Sequence, residues 1–435
     1  MTHFLQARHS LLALFLLAGC TLRAQLPRVL RGPYLQVATP TSIIVRWQTD
    51  QPTDSRVMVG LSATQLTITV FDNKPVTEHE LTITGLTPAT RYSYAFGALA
   101  GSLQTDPEQY FRTAPVTGST GLVRLWVLGD FGNSSQNQFD VRDQITKVTA
   151  DHRPDVWIML GDNTYSKGKE KEYDKHFFAQ YQTQFFRNTP FWPTPGNHDY
   201  GGQITNQNIP YFTSFTMPTK GEAGGVPSGS ESYYAFDYGN VHVVSLDSYG
   251  KLNDGKRMYE AGSGQIDWLK RDLSANKLPW TVVFWHHPPY SKGSHDSDTE
   301  KLMVNIREQL LPVLEEFKVD MVFCGHSHVY ERTQPIKGHF GSDDSFNAAK
   351  HVVSGATPDK PNDYKVGRAG QGVIYIVAGS GGQLGGQMPG FPLNSAVYSN
   401  TTEGASVLLD ITGNKLEART IGSTGAVLDR FSIEK

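Results

Sequence analysis

Val156-Trp157-Ile158-Met159-Leu160, followed directly by Gly161-Asp162-Asn163-Thr164-Tyr165, is the stretch on which the fold turns. Its first half is apolar on both faces, which suits a strand buried between two other layers. Its second half opens on a glycine and then offers oxygen donors. Further apolar runs lie at Leu122 to Leu128, Val241 to Leu246, Trp280 to Trp285, Val319 to Phe323 and Val373 to Val377. Most of them end in a polar or glycine-marked loop. Between two of them, Thr299 to Phe317 carries Leu302, Ile306, Leu310 and Leu314 at every fourth residue, the pattern of an amphipathic helix with Pro312 as a kink point. Strands alternating with helices predict an α/β layered domain. Gly201 to Gly229 is rich in Gly, Pro, Asn, Thr and Ser and reads as a loop that could wall an active site. Beyond Ala405, stretches such as Ser406-Val407-Leu408-Leu409-Asp410 read as closing strands of the same domain.

Toward the N-terminus the pattern changes. Ser42 to Trp47, Glu80 to Thr84 and Arg91 to Phe96 are short strand-like runs separated by turn signals such as Gly85-Leu86-Thr87-Pro88, which predicts an all-β sandwich over residues 28–115. Pro115 to Gly121 is a linker, and residues 121–435 form the second domain. Leu11 to Leu17, preceded by Arg8 and His9, is too short to span a bilayer and reads as the core of a leader over residues 1–24. Leu17-Ala18-Gly19-Cys20 fits a lipidation signal at Cys20, and Leu22-Arg23-Ala24 fits ordinary cleavage; both stay open. Either way the chain is expected to be exported, as a periplasmic, outer-surface lipoprotein or secreted protein with no transmembrane span. The cysteines are Cys20 and Cys324, so no internal disulfide is expected once the leader is processed; Cys324, ending an apolar run, reads as a small buried hydrophobe. With 39 basic and 42 acidic residues, net charge −3, the 435-residue chain lacks the basic excess of a nucleic-acid binder. A hydrophobic share of 38% is that of a folded globular protein.

Five motifs follow one another: Asp130-Phe131-Gly132, Gly161-Asp162-Asn163-Thr164-Tyr165, Gly196-Asn197-His198-Asp199, His286-His287-Pro288 and Gly325-His326-Ser327-His328. In open α/β sheets, ligands bind at loops beyond the carboxyl ends of strands, so these residues can converge. Carboxylate, amide, phenol and imidazole donors without a thiolate suit hard or borderline metal ions. Asp-x-Gly alone is a chance string, a lone tyrosine is more often a packing residue, and a loop histidine such as His295 is more often solvated. The weight lies in the ordered conjunction of the motifs beside apolar runs.

The set resembles the calcineurin-like metallophosphoesterases and, within them, the purple acid phosphatases. The first motif reads Asp-x-Gly where many relatives have Asp-x-His, and Tyr165 matches the extra ligand of the purple enzymes; His328-Val329-Tyr330-Glu331-Arg332 extends the likeness. The segment from Gly85 to Tyr94 resembles the end of a fibronectin type III module, as in the larger members. The resemblance implies a two-sheet ββ sandwich flanked by helices. It implies a ferric ion held by Asp130, Asp162, Tyr165 and His328, with Asp162 bridging, and a divalent ion (iron, zinc or manganese) completed by Asn197, His286 and His326. It makes His198 a substrate-facing residue that helps to bind phosphate or protonates the leaving group, and His295, nine residues after His286, a second such histidine; His287 is not expected to be a ligand. The implied activity is acid hydrolysis of small phosphomonoesters by metal-bound hydroxide, since a metal lowers the pKa of its water to about 7. A phosphodiesterase or nucleotidase on the same scaffold, and an inactive surface binding protein, are the alternatives. Ser166-Lys167-Gly168-Lys169 lacks the acidic residue usual in the plant enzymes, and a dimerising cysteine is absent, which leaves the oligomeric state open.

Overall fold

The computed structural model describes residues 27–101, 103–251, 253–353, 355–356, 359–365 and 372–435; the leader and Cys20 lie outside them. The N-terminal domain has strands β1 (Val29–Gln36), β2 (Ile43–Gly60), β3 (Ile68–Ile83), β4 (Arg91–Gly97) and β5 (Tyr110–Arg112). At the centre of one five-stranded sheet is β2. β3 runs along one edge of it, while β1 takes the first half and β4 the second half of the other edge. The register breaks between Gln48 and Ser55, and beyond the break the two halves of β2 close on one core of Val45, Trp47, Val57, Val59 and Phe111.

Two seven-stranded sheets form the second domain. One comprises β6 (Val123–Leu128), β7 (Val156–Met159), β8 (Phe191–Pro193), β14 (Asp363–Lys365), β17 (Ala405–Thr412), β18 (Lys415–Gly422) and β19 (Val427–Glu434), in the order β14-β19-β18-β17-β6-β7-β8. The other comprises β9 (Tyr234–Tyr238), β10 (Val241–Ser245), β11 (Trp280–Phe284), β12 (Met321–Cys324), β13 (Tyr330–Thr333), β15 (Ile374–Ala378) and β16 (Ala396–Asn400), in the order β16-β13-β15-β12-β11-β10-β9. Side-chain alternation explains the two-sided apolar runs. Val282, Phe284, Met321, Phe323, Ile374 and Ile376 point into the core between the sheets, with Leu125, Val127 and Ile158 opposite. Val283, Val322 and Tyr375 point outward, where the helix Lys301–Glu316 covers them with Ile306, Leu310 and Leu314. That is the predicted amphipathic helix, with Pro312 inside it. The helix Gln136–Val148 lies on β17 and β18 of the other sheet. Residues 170–186 wind as a helix, partly in π geometry, and bury Tyr173, Phe177, Phe178, Tyr181, Phe185 and Phe186.

The two domains share a core. Tyr34, Val37 and Ile44 of the N-terminal domain belong to the same buried cluster as Phe178, Phe191 and Phe215. The predicted wall, Gly201 to Gly229, is largely an interdomain element. Its helix Pro210–Ser214 and the following residues take Arg46 on Thr213 O (2.9 Å), Tyr34 Oη on Ser214 O (2.8 Å) and Gln36 Oε1 on Thr216 N (2.9 Å). Its polar backbone thus finds partners in the neighbouring domain. No helix among the described residues is long and apolar enough to cross a membrane.

Candidate metal centre

Strand ends aim the five motifs at one place. Asp130 follows β6, Asp162 follows β7, Asn197 lies past β8, His286 follows β11 and His326 follows β12. Asp130, Asp162 and His326 have φ of 59°, 49° and 66°, a left-handed backbone that non-glycine residues rarely adopt and that gathers at functional sites. The flanking glycines are needed for closeness. A Cβ on Gly196 would overlap the Asp162 carboxylate, and one on Gly325 the Asp130 carboxylate.

The donors fall into two groups. In the first, Tyr165 Oη lies 3.1 Å from Asp130 Oδ1 and 3.2 Å from His328 Nε2, and that nitrogen is 3.6 Å from Asp130 Oδ1. In the second, His286 Nε2 lies 3.1 Å from Asn197 Oδ1 and 3.4 Å from Asp162 Oδ2. Asp162 also accepts the His198 backbone N–H at 2.8 Å, and Asp130 Oδ2 that of His326 at 2.8 Å. His286 Nδ1 faces Leu160 O at 2.8 Å and gives its proton there, so a neutral ring would turn a bare Nε2 toward two oxygens. Only positive charge at that point relieves the contact. Burial disfavours the imidazolium, yet the carboxylates of Asp162 and Asp130 prevail and raise its pKa to about 9. Burial would raise Asp162, but His286 and His198 hold its carboxyl below the usual range.

His326 supplies an independent sign. Its Nε2 is buried and makes no hydrogen bond, and Glu300 Oε2 stands 3.8 Å away. Burial lowers its pKa to about 4, so the ring stays neutral with a lone pair available. The Tyr165 phenol is pushed well above its ordinary value by burial and by Asp130 and Asp162, so a strong cation at its oxygen is needed to take the proton. Asp130, Asp162 and His286 form one group whose ligand atoms lie within 4.8 Å of one another; His286, His287 and His326 form a second, and His295, Glu300 and His326 a third. This donor set fits a pair of hard or borderline metal ions.

Both predicted acids sit beside the donors. The His198 side chain is 38% exposed, its ring lies 4.6 Å from that of Tyr165, its Nδ1 meets Ser166 O at 2.6 Å, and its Nε2 lies 3.9 Å from Asp162 Oδ2. His295 stacks on His326 at 3.8 Å, with Nδ1 2.7 Å from Glu300 Oε1. His287 is buried, held through Nδ1 by Ser248 Oγ at 2.8 Å. Three carboxylates went unremarked in the sequence. Glu300, the residue before the long helix, orients His295. Asp199 accepts from Gly196 N, Asn163 N, Asn163 Nδ2 and Tyr173 Oη, tying two ligand loops together. Glu172 accepts from Ser166 N, Lys167 N and Lys169 N and so shapes the turn whose carbonyl orients His198. Of these, only Asp199 carried a signal, its place inside the Gly-Asn-His-Asp string.

Residues 123–330 match the family described as calcineurin-like phosphoesterase, and residues 31–113 match the N-terminal domain of purple acid phosphatases. Both domains are thus similar to those of the purple acid phosphatases among the calcineurin-like phosphoesterases. Among the relatives, purple acid phosphatase 21 of Arabidopsis thaliana is 33% identical over 267 residues, covering 59% of this chain and 54% of its own. Purple acid phosphatase 15 of the same plant is 28% identical over 284 residues, covering 59% and 50%. The chain thus spans about half the length of the curated relatives it matches. The purple acid phosphatase from yellow lupin seeds shares its fold at a TM-score of 0.71, with 19% identity over 94% of this chain and 74% of that one. PhoD shares the fold at 0.66, with 12% identity over 92% and 89%.

Proposed function

We propose that this protein is a binuclear-metal acid phosphatase that hydrolyses small phosphomonoesters. The observation that carries the reading is the unpartnered buried His326 Nε2 beside the cluster in which His286 Nε2 meets Asn197 Oδ1 and Asp162 Oδ2. Asp130, Asp162, Tyr165 and His328 would hold a ferric ion, and Asp162, Asn197, His286 and His326 a divalent iron, zinc or manganese. When bound, the metals supply an activated water and neutralise phosphate charge. The chain's own residues do the rest. Asp199 and the two glycine-led loops fix the ligands, and the peptide of Ser166 keeps the Nδ1 proton of His198 so that Nε2 can hand a proton to the departing alkoxide. His295, oriented by Glu300, stands on the far side of His326 as a second proton-holding group at the ester. Export rests on the leader at residues 1–24.

Metal analysis with the visible spectrum is the deciding experiment. Protein purified without chelator should contain two metals, at least one of them iron, and show a broad visible band from phenolate on ferric iron. Tyr165→Phe should bleach that band with the second metal retained; a band that survives removes Tyr165 from the ligand set. Side-by-side assay of monoester and diester substrates should favour the monoester.

A further inference from the structure

Behind the metal donors lies a buried carboxylate with no part in the scheme above. Glu331 sits on β13, three residues past His328, and is 2% exposed. Its Oε2 accepts from Ser291 Oγ at 2.6 Å and its Oε1 from Lys292 N at 3.2 Å. Ser291 Oγ accepts from Gly293 N at 3.2 Å and lies 2.8 Å from Ser327 Oγ, between the two ligand histidines. The same short segment leads into the catalytic loop: Ser294 Oγ accepts the His328 N–H at 2.9 Å, and His295 comes next. A Cβ on Gly293 would press on Val329 and Ser327 Oγ, so this stretch is seated directly on the Gly-His-Ser-His strand end. The two ends of the loop are also tied by Arg307 on Pro289 O (3.1 Å) and on Ser297 O (2.9 Å) and by the Ser297 N–Ser291 O pairing (3.0 Å). Glu331 adds the bonds that seat Ser291 and Lys292 against the Gly-His-Ser-His strand end.

We propose that Glu331 is a positioning residue for His295, acting through the Ser291–Gly293 backbone so that His295 keeps its place over His326. Glutamine at this position keeps the shape and one acceptor, but its amide group would turn a donor toward a donor. The inference rests on the phosphatase reading, and its test separates the two. Glu331→Gln, His295→Ala and the double variant are compared in the full metal-loaded protein on an aryl phosphate with a good leaving group and an alkyl phosphate with a poor one. General acids contribute roughly 10²–10⁴-fold, so misplacing one should lower kcat on the alkyl ester by about tenfold or more, with the aryl ester and KM much less affected. In the His295→Ala background Glu331→Gln should add nothing. Equal losses on both esters, or losses that multiply in the double variant, would overturn the proposal. Ring proton resonances of His295, assigned by their absence in His295→Ala, should shift in Glu331→Gln. Unmoved resonances overturn the positioning role even if the wild type proves to hydrolyse no ester, a result that would by itself sink only the phosphatase reading. Ser291→Ala, which removes one of the bonds with a smaller perturbation, should reproduce the pattern if Glu331→Gln fails to fold.

Discussion

Asp199 shows what one buried side chain does for the centre. It gathers three donors from two ligand loops and a fourth, Tyr173 Oη, from the helix over 170–186, and it lies beside Asp162, so burial and the neighbouring negative charge raise its pKa. Asn at 199 could keep only part of this set and would leave buried donors unpaired, each costing about 1–3 kcal/mol. Asp199→Asn should therefore lower the melting temperature and weaken metal retention by about 10–100-fold, the usual effect of losing a group that orients a ligand. A melting loss with metal affinity intact would show that Asp199 supports the fold alone. His198→Ala should reduce kcat on an alkyl phosphate by about 10²-fold or more and spare an ester with a good leaving group; full kcat on the poor leaving group would end its role as acid. At this scale the sequence was readable where function is local. Gly196-Asn197-His198-Asp199 and Gly325-His326-Ser327-His328 place glycine and donors side by side because the backbone itself must approach the carboxylates. Glu172 and Glu300 were not readable, because each gains its meaning from a partner brought by a turn or a helix start.

Among the elements, β9, β10 and the helix Gly264–Ala275 are joined by a buried charge triad. His242 Nδ1 meets Asp237 Oδ1 and its Nε2 meets Asp272 Oδ2, both at 2.8 Å, so the ring donates on both sides as an imidazolium. Burial opposes that charge, but the two carboxylates raise the pKa to about 9. The folded value exceeds the unfolded one of about 6.5, so the stabilisation is complete below about pH 6.5 and is lost as pH rises through about 9. The shift corresponds to ~3 kcal/mol at most. His242→Gln should destabilise the protein strongly at pH 6 by denaturant unfolding, and the gap from wild type should shrink by pH 10; a gap that is constant with pH would mean the ring is neutral. Double-sided apolar strands such as Val282 to Phe284 were legible because both faces are covered. Tyr330–Thr333 was not. Its Glu331 and Arg332 look solvent-facing, but Arg332 is buried through bonds to Asp429 (2.6 and 2.9 Å) and Tyr364 Oη (2.6 Å), partners far along the chain.

For the whole molecule, the question is whether the N-terminal domain is a spacer or part of one folding unit. Alternation along its strands answers it. Leu35, Ile43 and Val45 face the domain's own core, while their neighbours Tyr34 and Ile44 face the second domain's core. The run Ile43-Ile44-Val45 was thus a sign of a sheet covered on both sides, but the sequence could not say that the cover was the second domain, since the linker at 115–121 read as a separation. Charged contacts reinforce the apolar ones. Arg31, 3% exposed, binds Glu78 at 2.6 Å and Asp174 at 3.3 Å, and Asp174 lies two residues past Glu172, which shapes the turn orienting His198. Such an interface predicts one cooperative unfolding transition for the wild type by calorimetry. Tyr34 packs against Phe178 (5.0 Å) and Phe191 (6.0 Å) and donates to Ser214 O across the interface. Truncating a buried aromatic of this size costs about 3–5 kcal/mol. Tyr34→Ala removes that from the contact between domains more than from either core, so its calorimetric trace should split into two transitions, the N-terminal domain melting first. A single transition, lowered as a whole, would mean that the other shared contacts suffice to keep the two domains one unit; two transitions in the wild type would mean that the shared core does not couple them.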